Sequence, residues 1–346
     1  MAGAAGFGLW GSRGEAAWAE ATTELRRALD PDGGTTELVR AATLAANSHN
    51  TQPWRFEAGA RSISIRPDFA RRTPVVDPDD HHLFVSLGCA AENIVQAAPV
   101  LGLAAAVGNA DEGVLVDLAP SSGGEPGRAD AIVRRQCTRS LYDKRAVGAG
   151  DLAALAVAAR EDGVEMLLIT EPKAVEDILA LAVEGNTAQV TDPAFTAELK
   201  QWLRFSYGNA LATADGLFSK CSGNPALPGP IGPLMFGFVY TADAENARLV
   251  EQVRSSSGLA IFVSEADDRA HWVSAGQSYQ RFALEATARG IKHAFVNQPV
   301  EVPEMRQQLS ALLGLGVGRP DLVVRFGYGP EMPMSLRRPV ADVIAA

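Results

Sequence analysis

Ser48-His49-Asn50-Thr51-Gln52-Pro53-Trp54 follows an apolar helical stretch, Leu38 to Ala46, and this junction is the decisive feature of the 346-residue chain. It sets small polar groups and turn-forming Asn and Pro at a helix end, where backbone amides are free to contact a ligand. A second short stretch, Arg134-Arg135-Gln136-Cys137-Thr138-Arg139, carries guanidinium groups at Arg135 and Arg139. Four residues apart, they share one face if the segment is helical. Such a pair is an anion clamp, because guanidinium suits bidentate contacts with phosphate.

Working outward, two stretches repeat. Ser86-Leu87-Gly88 opens one that ends Leu101-Gly102-Leu103, and Ser274-Ala275-Gly276 opens one that ends Arg289-Gly290-Ile291; the offset is 188 residues at both ends. Leu83, Leu87, Ala91, Ile94, Val95 and Ala98 keep helical spacing in the first, as do Val273, Phe282, Ala283 and Ala286 in the second. A β-like run precedes each helix, Ile63-Ser64-Ile65 and Leu259-Ala260-Ile261-Phe262-Val263. The expected organisation is an N-terminal arm (1–34), a first half (35–120) and a second half (121–346). Pro120-Ser121-Ser122-Gly123-Gly124-Glu125-Pro126-Gly127 reads as the linker or turn between the halves. A lid loop is expected within about 206–233, since Ser219 to Pro233 is rich in Gly and Pro and long irregular loops in compact domains are often lids.

The second half reads as helix 151–160, strand 165–170, helix 172–190 and a further helix around 194–205. After the loop come strand 259–263, the long repeated helix and a strand near 293–296. Helix 303–313 has Pro303 near its start and Gly314 as its stop. Asp321 to Gly327 has the β-branched alternation of a buried strand. The predicted fold class is α+β, with a central, mostly antiparallel sheet in each half wrapped by helices.

Composition is that of an ordinary globular chain: 47% hydrophobic, 21% charged, with 33 Gly and 20 Pro. A net charge of −10 argues against a nucleic-acid partner, which needs a basic surface. Cys89, Cys137 and Cys221 form neither a CxxC pair nor a disulfide framework, which points to a reducing compartment. The most apolar run, Ile94 to Val107, is interrupted by Gln96 and Pro99, so no membrane span is expected. No secretory signal pattern stands at the N-terminus, the first 20 or so residues read as a frayed or docking arm, and the cytoplasm is the expected location. His81 and His82 are adjacent rather than at a ligand spacing, so no metal site is expected. A hydrolase lacks its G-x-S-x-G elbow, and a Rossmann site its G-x-G-x-x-G.

Taken together, the two opening motifs resemble the nitroreductase superfamily, whose members bind FMN and often carry Asn-x-Gln-Pro-Trp after their first helix. The resemblance spans most of residues 35–343. Members are usually homodimers with flavin at the interface; here each motif occurs once, in a different half. That implies a fused pseudo-dimer with one site, similar to the Acg-type branch, and expected to be monomeric, with a homodimer as the alternative.

The resemblance also implies roles, position by position. The family's Arg-x-Ser-x-Arg/Lys phosphate motif is matched by Arg135-Gln136-Cys137-Thr138-Arg139, so Arg135 and Arg139 would hold the FMN phosphate, with Gln136 and Cys137 near it or the ribityl chain. Cys137 stands where the family has Ser, which weakens one hydrogen bond. Arg337-Arg338-Pro339 resembles the closing basic-Pro motif that also reaches the phosphate. Asn297, Gln298 and Pro299 lie where the family sets backbone amides beside flavin N5 and O4. Ser48, His49, Asn50 and Gln52 would line the ring and ribityl chain from the other half. No catalytic side chain is assigned.

The implied activity is FMN-dependent oxidoreduction of nitroreductase type, with NAD(P)H as donor and a nitroaromatic, quinone or other conjugated small molecule as partner. The alternative is a protein that stores or sequesters FMN under a lid without turnover. The position of loop 219–233 separates the two.

Overall fold

The two halves of the chain use one strand order twice. In the computed structural model, which describes residues 2–110, 112–121, 128–229 and 231–345, β1 (Trp54–Ala58), β2 (Ser62–Pro67), β3 (Leu103–Ala110) and β4 (Gly113–Pro120) form a sheet ordered β1-β2-β4-β3. In the second half, β5 (Val164–Ile169), β8 (Gly258–Ser264), β9 (Lys292–Phe295) and β10 (Arg319–Gly327) are ordered β5-β8-β10-β9. Each sheet therefore runs first-second-fourth-third, and every pairing in both is antiparallel. In each, a long helix joins the second strand to the third: His81–Ala97 and Arg269–Ala288. Two-residue strands β6 (Leu203–Arg204) and β7 (Leu217–Phe218) make a small parallel pair outside the sheets.

Burial separates the sheets. Residues of β8 and β10 are buried throughout, whereas β1, β2 and β4 alternate buried and more exposed. The second sheet is accordingly covered on both faces: one meets the core shared with the long helices, the other meets helices Pro172–Thr191, Ala242–Arg254 and Pro303–Leu313. The first sheet leaves one face to solvent, the usual arrangement for an antiparallel sheet.

The long helices cross between the halves. Gly88 lies beneath the backbone of Val273, and Gly276 beneath that of Val85, so the repeated glycines are the points of closest approach. Polar contacts continue the seam: Arg281 pairs with Glu92 at 2.7 Å, and Gln280 Nε2 donates to Asn93 Oδ1 at 2.7 Å. Gly102 and Gly290 end the repeats in the left-handed conformation, at φ +69° and +72°.

Local signals explain several helix ends. Asp192 and Asp268 accept amide hydrogen bonds at the starts of helices Pro193–Trp202 and Arg269–Ala288. Helix Pro303–Leu313 begins on Pro303 and stops at left-handed Gly314, as the sequence predicts.

Several expectations are corrected. Residues 135–147 are not helical: the helix Ala129–Arg134 ends before them, and Arg135 is extended at ψ 136°. Arg135 and Arg139 therefore do not share a helix face. The first residues, expected as a frayed or docking arm, form helix Ala2–Leu25, which docks through Trp18 against Tyr207 and Phe218. Only part of 219–233 is irregular, because Ile231–Val239 is an apolar helix whose first turn accommodates Pro233. Helix Pro193–Trp202 is shorter than expected and gives way to β6. The helical segment His81–Leu101 is long and apolar enough to cross a bilayer, and 78% of its most apolar stretch is buried inside the fold, as in a core helix. Within the expected linker, residues 122–127 lie outside the described residues.

After β10 the chain returns over the first half. Arg338 N–H donates to Gln52 Oε1 at 2.8 Å, and Ala345 N–H donates to the Phe56 carbonyl at 2.7 Å. This returning strap closes the site described next.

Candidate flavin-phosphate cleft and adjoining cavity

Four arginines from three segments meet at a narrow cleft of about 60 Å³: Arg26, Arg135, Arg139 and Arg337. Arg26 follows the N-terminal helix, Arg135 and Arg139 lie on the extended connector, and Arg337 is on the returning strap. Backbone carbonyls fix three of them. Arg26 donates to Val133 O at 2.9 Å, Arg135 to Leu44 O at 2.8 Å, and Arg337 to Thr43 O at 2.8 Å. Among the described residues, no carboxylate lines the cleft. The Nε atoms of Arg26 and Arg135 are buried without a hydrogen-bond partner.

The electrostatic consequence is mutual repulsion. Burial, and next the Arg135 charge, push the Arg26 guanidinium down to about 9. Burial, then Arg26 and Arg135, lower Arg337 as well. Buried like charges with unpaired donors are costly unless an anion enters. The residues present thus fit a phosphate group, which would accept from several guanidiniums at once.

Beside the cleft opens a cavity of about 780 Å³, within the roughly 300–1,000 Å³ of small-molecule sites. Ala46, Asn47, Arg139, Leu217 and Ser222 line both spaces. Ser48 and His49 form one wall, and Asn297 and Gln298 another. The wall at 48–52 is held in an unusual conformation. His49, Asn50 and Gln52 all have positive φ (46°, 54° and 55°), a strain of about 1–3 kcal/mol each that clusters at functional loops. Burial, then Arg139 and His82, lower His49 to about 4, so its ring is neutral at physiological pH.

The expected site residues therefore divide. Arg135, Gln136, Cys137, Arg139, Asn50 and Arg337 reach the cleft, while Ser48, His49, Arg139, Asn297 and Gln298 reach the cavity. Gln52, Pro299 and Arg338 reach neither. Gln52 is fully buried and spans Ala214 and the strap, donating to Ala214 O at 2.9 Å. Pro299 is buried in the short helix Gln298–Glu301, and Arg338 turns away to donate to the Asp342 carbonyl at 2.8 Å. Gln136 touches the cleft but also latches the strap, donating to Met332 O at 2.7 Å and accepting from Met332 N–H at 3.1 Å.

The sequence reading missed Arg26, Asn47, His82 and Glu301. Asn47 adjoins the opening motif and its Oδ1 accepts the Gln52 amide at 2.9 Å. Arg26 carries no motif, and only its fold neighbours reveal it. Helix Ile231–Val239 supplies Ile231, Met235, Phe236 and Val239 to the cavity wall, with Tyr240 just beyond it. Among the described residues no group of His, Cys, Asp and Glu could hold a metal ion.

No family model matches the chain. A Mycobacterium tuberculosis H37Rv protein provisionally named an NAD(P)H nitroreductase is 29% identical over 336 residues, covering 91% of this chain and 92% of that one. The protein acg of the same organism, named likewise, is 23% identical over 326 residues, covering 89% and 96%. Among solved structures, the FMN-dependent nitroreductase NfnB of Mycobacterium smegmatis, crystallised with NADPH, aligns with a TM-score of 0.39 at 13% identity, over 59% of this chain and 92% of that one. The two sequence relatives match about nine-tenths of the chain, through both halves, so over most of its length the chain is similar to mycobacterial proteins named as Acg-type nitroreductases.

Proposed function

We propose that this chain is an FMN-dependent oxidoreductase of nitroreductase type. The observation that carries the reading is the cluster of Arg26, Arg135, Arg139 and Arg337, free of lining carboxylates among the described residues and opening onto the 780 Å³ cavity. The cleft takes a dianion and the cavity takes a flat conjugated group. The names of the sequence relatives support the same reading. Bound FMN would supply hydride transfer between NAD(P)H and a nitroaromatic, quinone or similar acceptor. The chain's own part is to neutralise the phosphate with guanidiniums, to hold the 48–52 and 295–298 walls around the ring, and to exclude water with helix Ile231–Val239.

One observation favours the second reading, FMN storage: residues from 219 to 240 form part of the cavity wall. Anaerobic mixing of the flavin-loaded protein with NADPH and NADH separates the two. Bleaching of the flavin spectrum, reversed by a quinone, is the expected result. Bound flavin that neither nucleotide bleaches means storage, and a protein that cannot be loaded with FMN overturns both.

A further inference from the structure

We propose that Glu301 is the proton donor of this cavity, with Gln189 positioning its carboxyl group. The proposal deepens the oxidoreductase reading and rests on it. Glu301 ends the four-residue helix Gln298–Glu301, one turn beyond the wall residue Gln298, and it lines the cavity. Gln189 Nε2 donates to Glu301 Oε2 at 2.7 Å, and His82 Nε2 stands 3.6 Å from Oε1.

His82 is itself fixed. Its amide and that of Leu83 donate to Asp77 at 2.9 and 3.0 Å, and Ser86 Oγ donates to its carbonyl at 2.6 Å. Gln298 Oε1, in the same wall, is a buried acceptor without a protein donor, which points to a ligand carrying an N–H or O–H group there.

Burial favours the protonated form of a carboxyl group at this position. Burial raises Glu301 above the ordinary carboxylic range, outweighing His82 and Gln189, which lower it. The other titratable groups facing it do not reverse this: Asp77 is itself pushed up to about 7 by burial, and Tyr240 approaches from beyond the apolar helix. Burial also lowers His82, which favours its neutral imidazole.

The chemistry needs such a group. A quinone becomes a hydroquinone by gaining two electrons and two protons. NAD(P)H, the donor in the reading above, supplies both electrons and one proton as a hydride equivalent. The second proton comes from Glu301: its O–H bond breaks, an O–H bond forms on the acceptor oxygen, and Gln189 hydrogen-bonds the resulting carboxylate until solvent reprotonates it. General acid catalysis of this kind contributes roughly 10²–10⁴-fold.

Three measurements on Glu301→Gln and Gln189→Ala test the assignment. Infrared difference spectra at neutral pH, native minus Glu301→Gln, with or without flavin, should show a protonated-carboxyl component that belongs to Glu301; its absence from the difference overturns the proposal. In the flavin-loaded enzyme, Glu301→Gln should slow quinone reduction by about a hundredfold or more while leaving reduction of ferricyanide, which takes no proton, unchanged. Equal loss of both reactions, or loss of neither, overturns it. Gln189→Ala removes a donor that favours the carboxylate, so the fall in quinone reduction at alkaline pH should move to higher pH; an unmoved limb overturns the positioning role. Failure to bind FMN sinks the oxidoreductase reading, and the infrared band still reports on Glu301.

Discussion

Gly88 and Val273 meet where the two long helices cross, and the same contact recurs with its partners exchanged, between Gly276 and Val85. A Cβ on either glycine would overlap the opposing valine carbonyl, which is backbone and cannot rotate aside. Gly88→Ala and Gly276→Ala should therefore each destabilise the protein by about 1–3 kcal/mol, with similar losses because the two sites are related. Urea unfolding midpoints measure this. Gly290→Ala is the control: its φ of +72° costs about 1–2 kcal/mol, but the space around it is open, so the helix crossing stays intact.

The arginine cleft predicts a selective loss. Arg135→Ala with Arg139→Ala should weaken FMN by at least about tenfold, since charge-assisted hydrogen bonds contribute roughly 1.5–3 kcal/mol each. Riboflavin, which lacks the phosphate, should lose little. Arg26→Ala should show the same selectivity, because its guanidinium lines the same cleft. Titration of both ligands by flavin fluorescence gives the ratio, and equal losses would mean that the arginines act through folding.

Much of the architecture is legible in local sequence. The 188-residue repeat identifies the crossing helices because a glycine at a close approach leaves a mark that drifting apolar positions do not. Pro303 and Gly314 bound their helix for equally local reasons. The cleft is legible only in part. Arg135, Arg139 and Arg337 sit in motif-like clusters, but Arg26 joins them through a contact more than a hundred residues away in sequence, donating to Val133 O and Arg135 O. Gln52 shows the opposite failure. It lies inside the motif, yet the returning strap claims its side chain, a tertiary contact that no local pattern carries. Helix Ile231–Val239 was hidden by Gly232 and Pro233, whose usual meaning as breakers yields in a first helical turn.

His293 predicts acid sensitivity. Burial, then Arg135 and Lys292, push its imidazole down to about 3, against an ordinary value near 6.5. The unfolded chain thus binds this proton more tightly than the folded one. The stability associated with neutral His293 is fully present above about pH 6.5 and is lost as pH falls toward 3. His293→Gln has no such proton to bind. Between about pH 7 and pH 4.5, its urea midpoint should fall less than that of the native protein, even if it starts lower through loss of the 3.3 Å contact with the Tyr279 hydroxyl. Parallel falls would show that His293 is not neutral in the folded state.

The split site predicts one flavin per chain and no need for a second copy. Residues of the first half, Ser48 and His49, and of the second, Arg139 and Gln298, line one cavity within a single chain. The helices that join the halves bury their facing sides against each other: Gly88, Cys89, Gly276 and Tyr279 are all interior. Flavin released on heating should therefore approach one FMN per chain. Sedimentation of the loaded protein at falling concentration should show a monomer that keeps its yellow colour. Two flavins per chain would contradict the single cleft. Release of flavin in step with dissociation of a dimer would place a missing part of the site on a second copy, and the returning strap, which holds Arg337 over the cleft, would then be insufficient to close it.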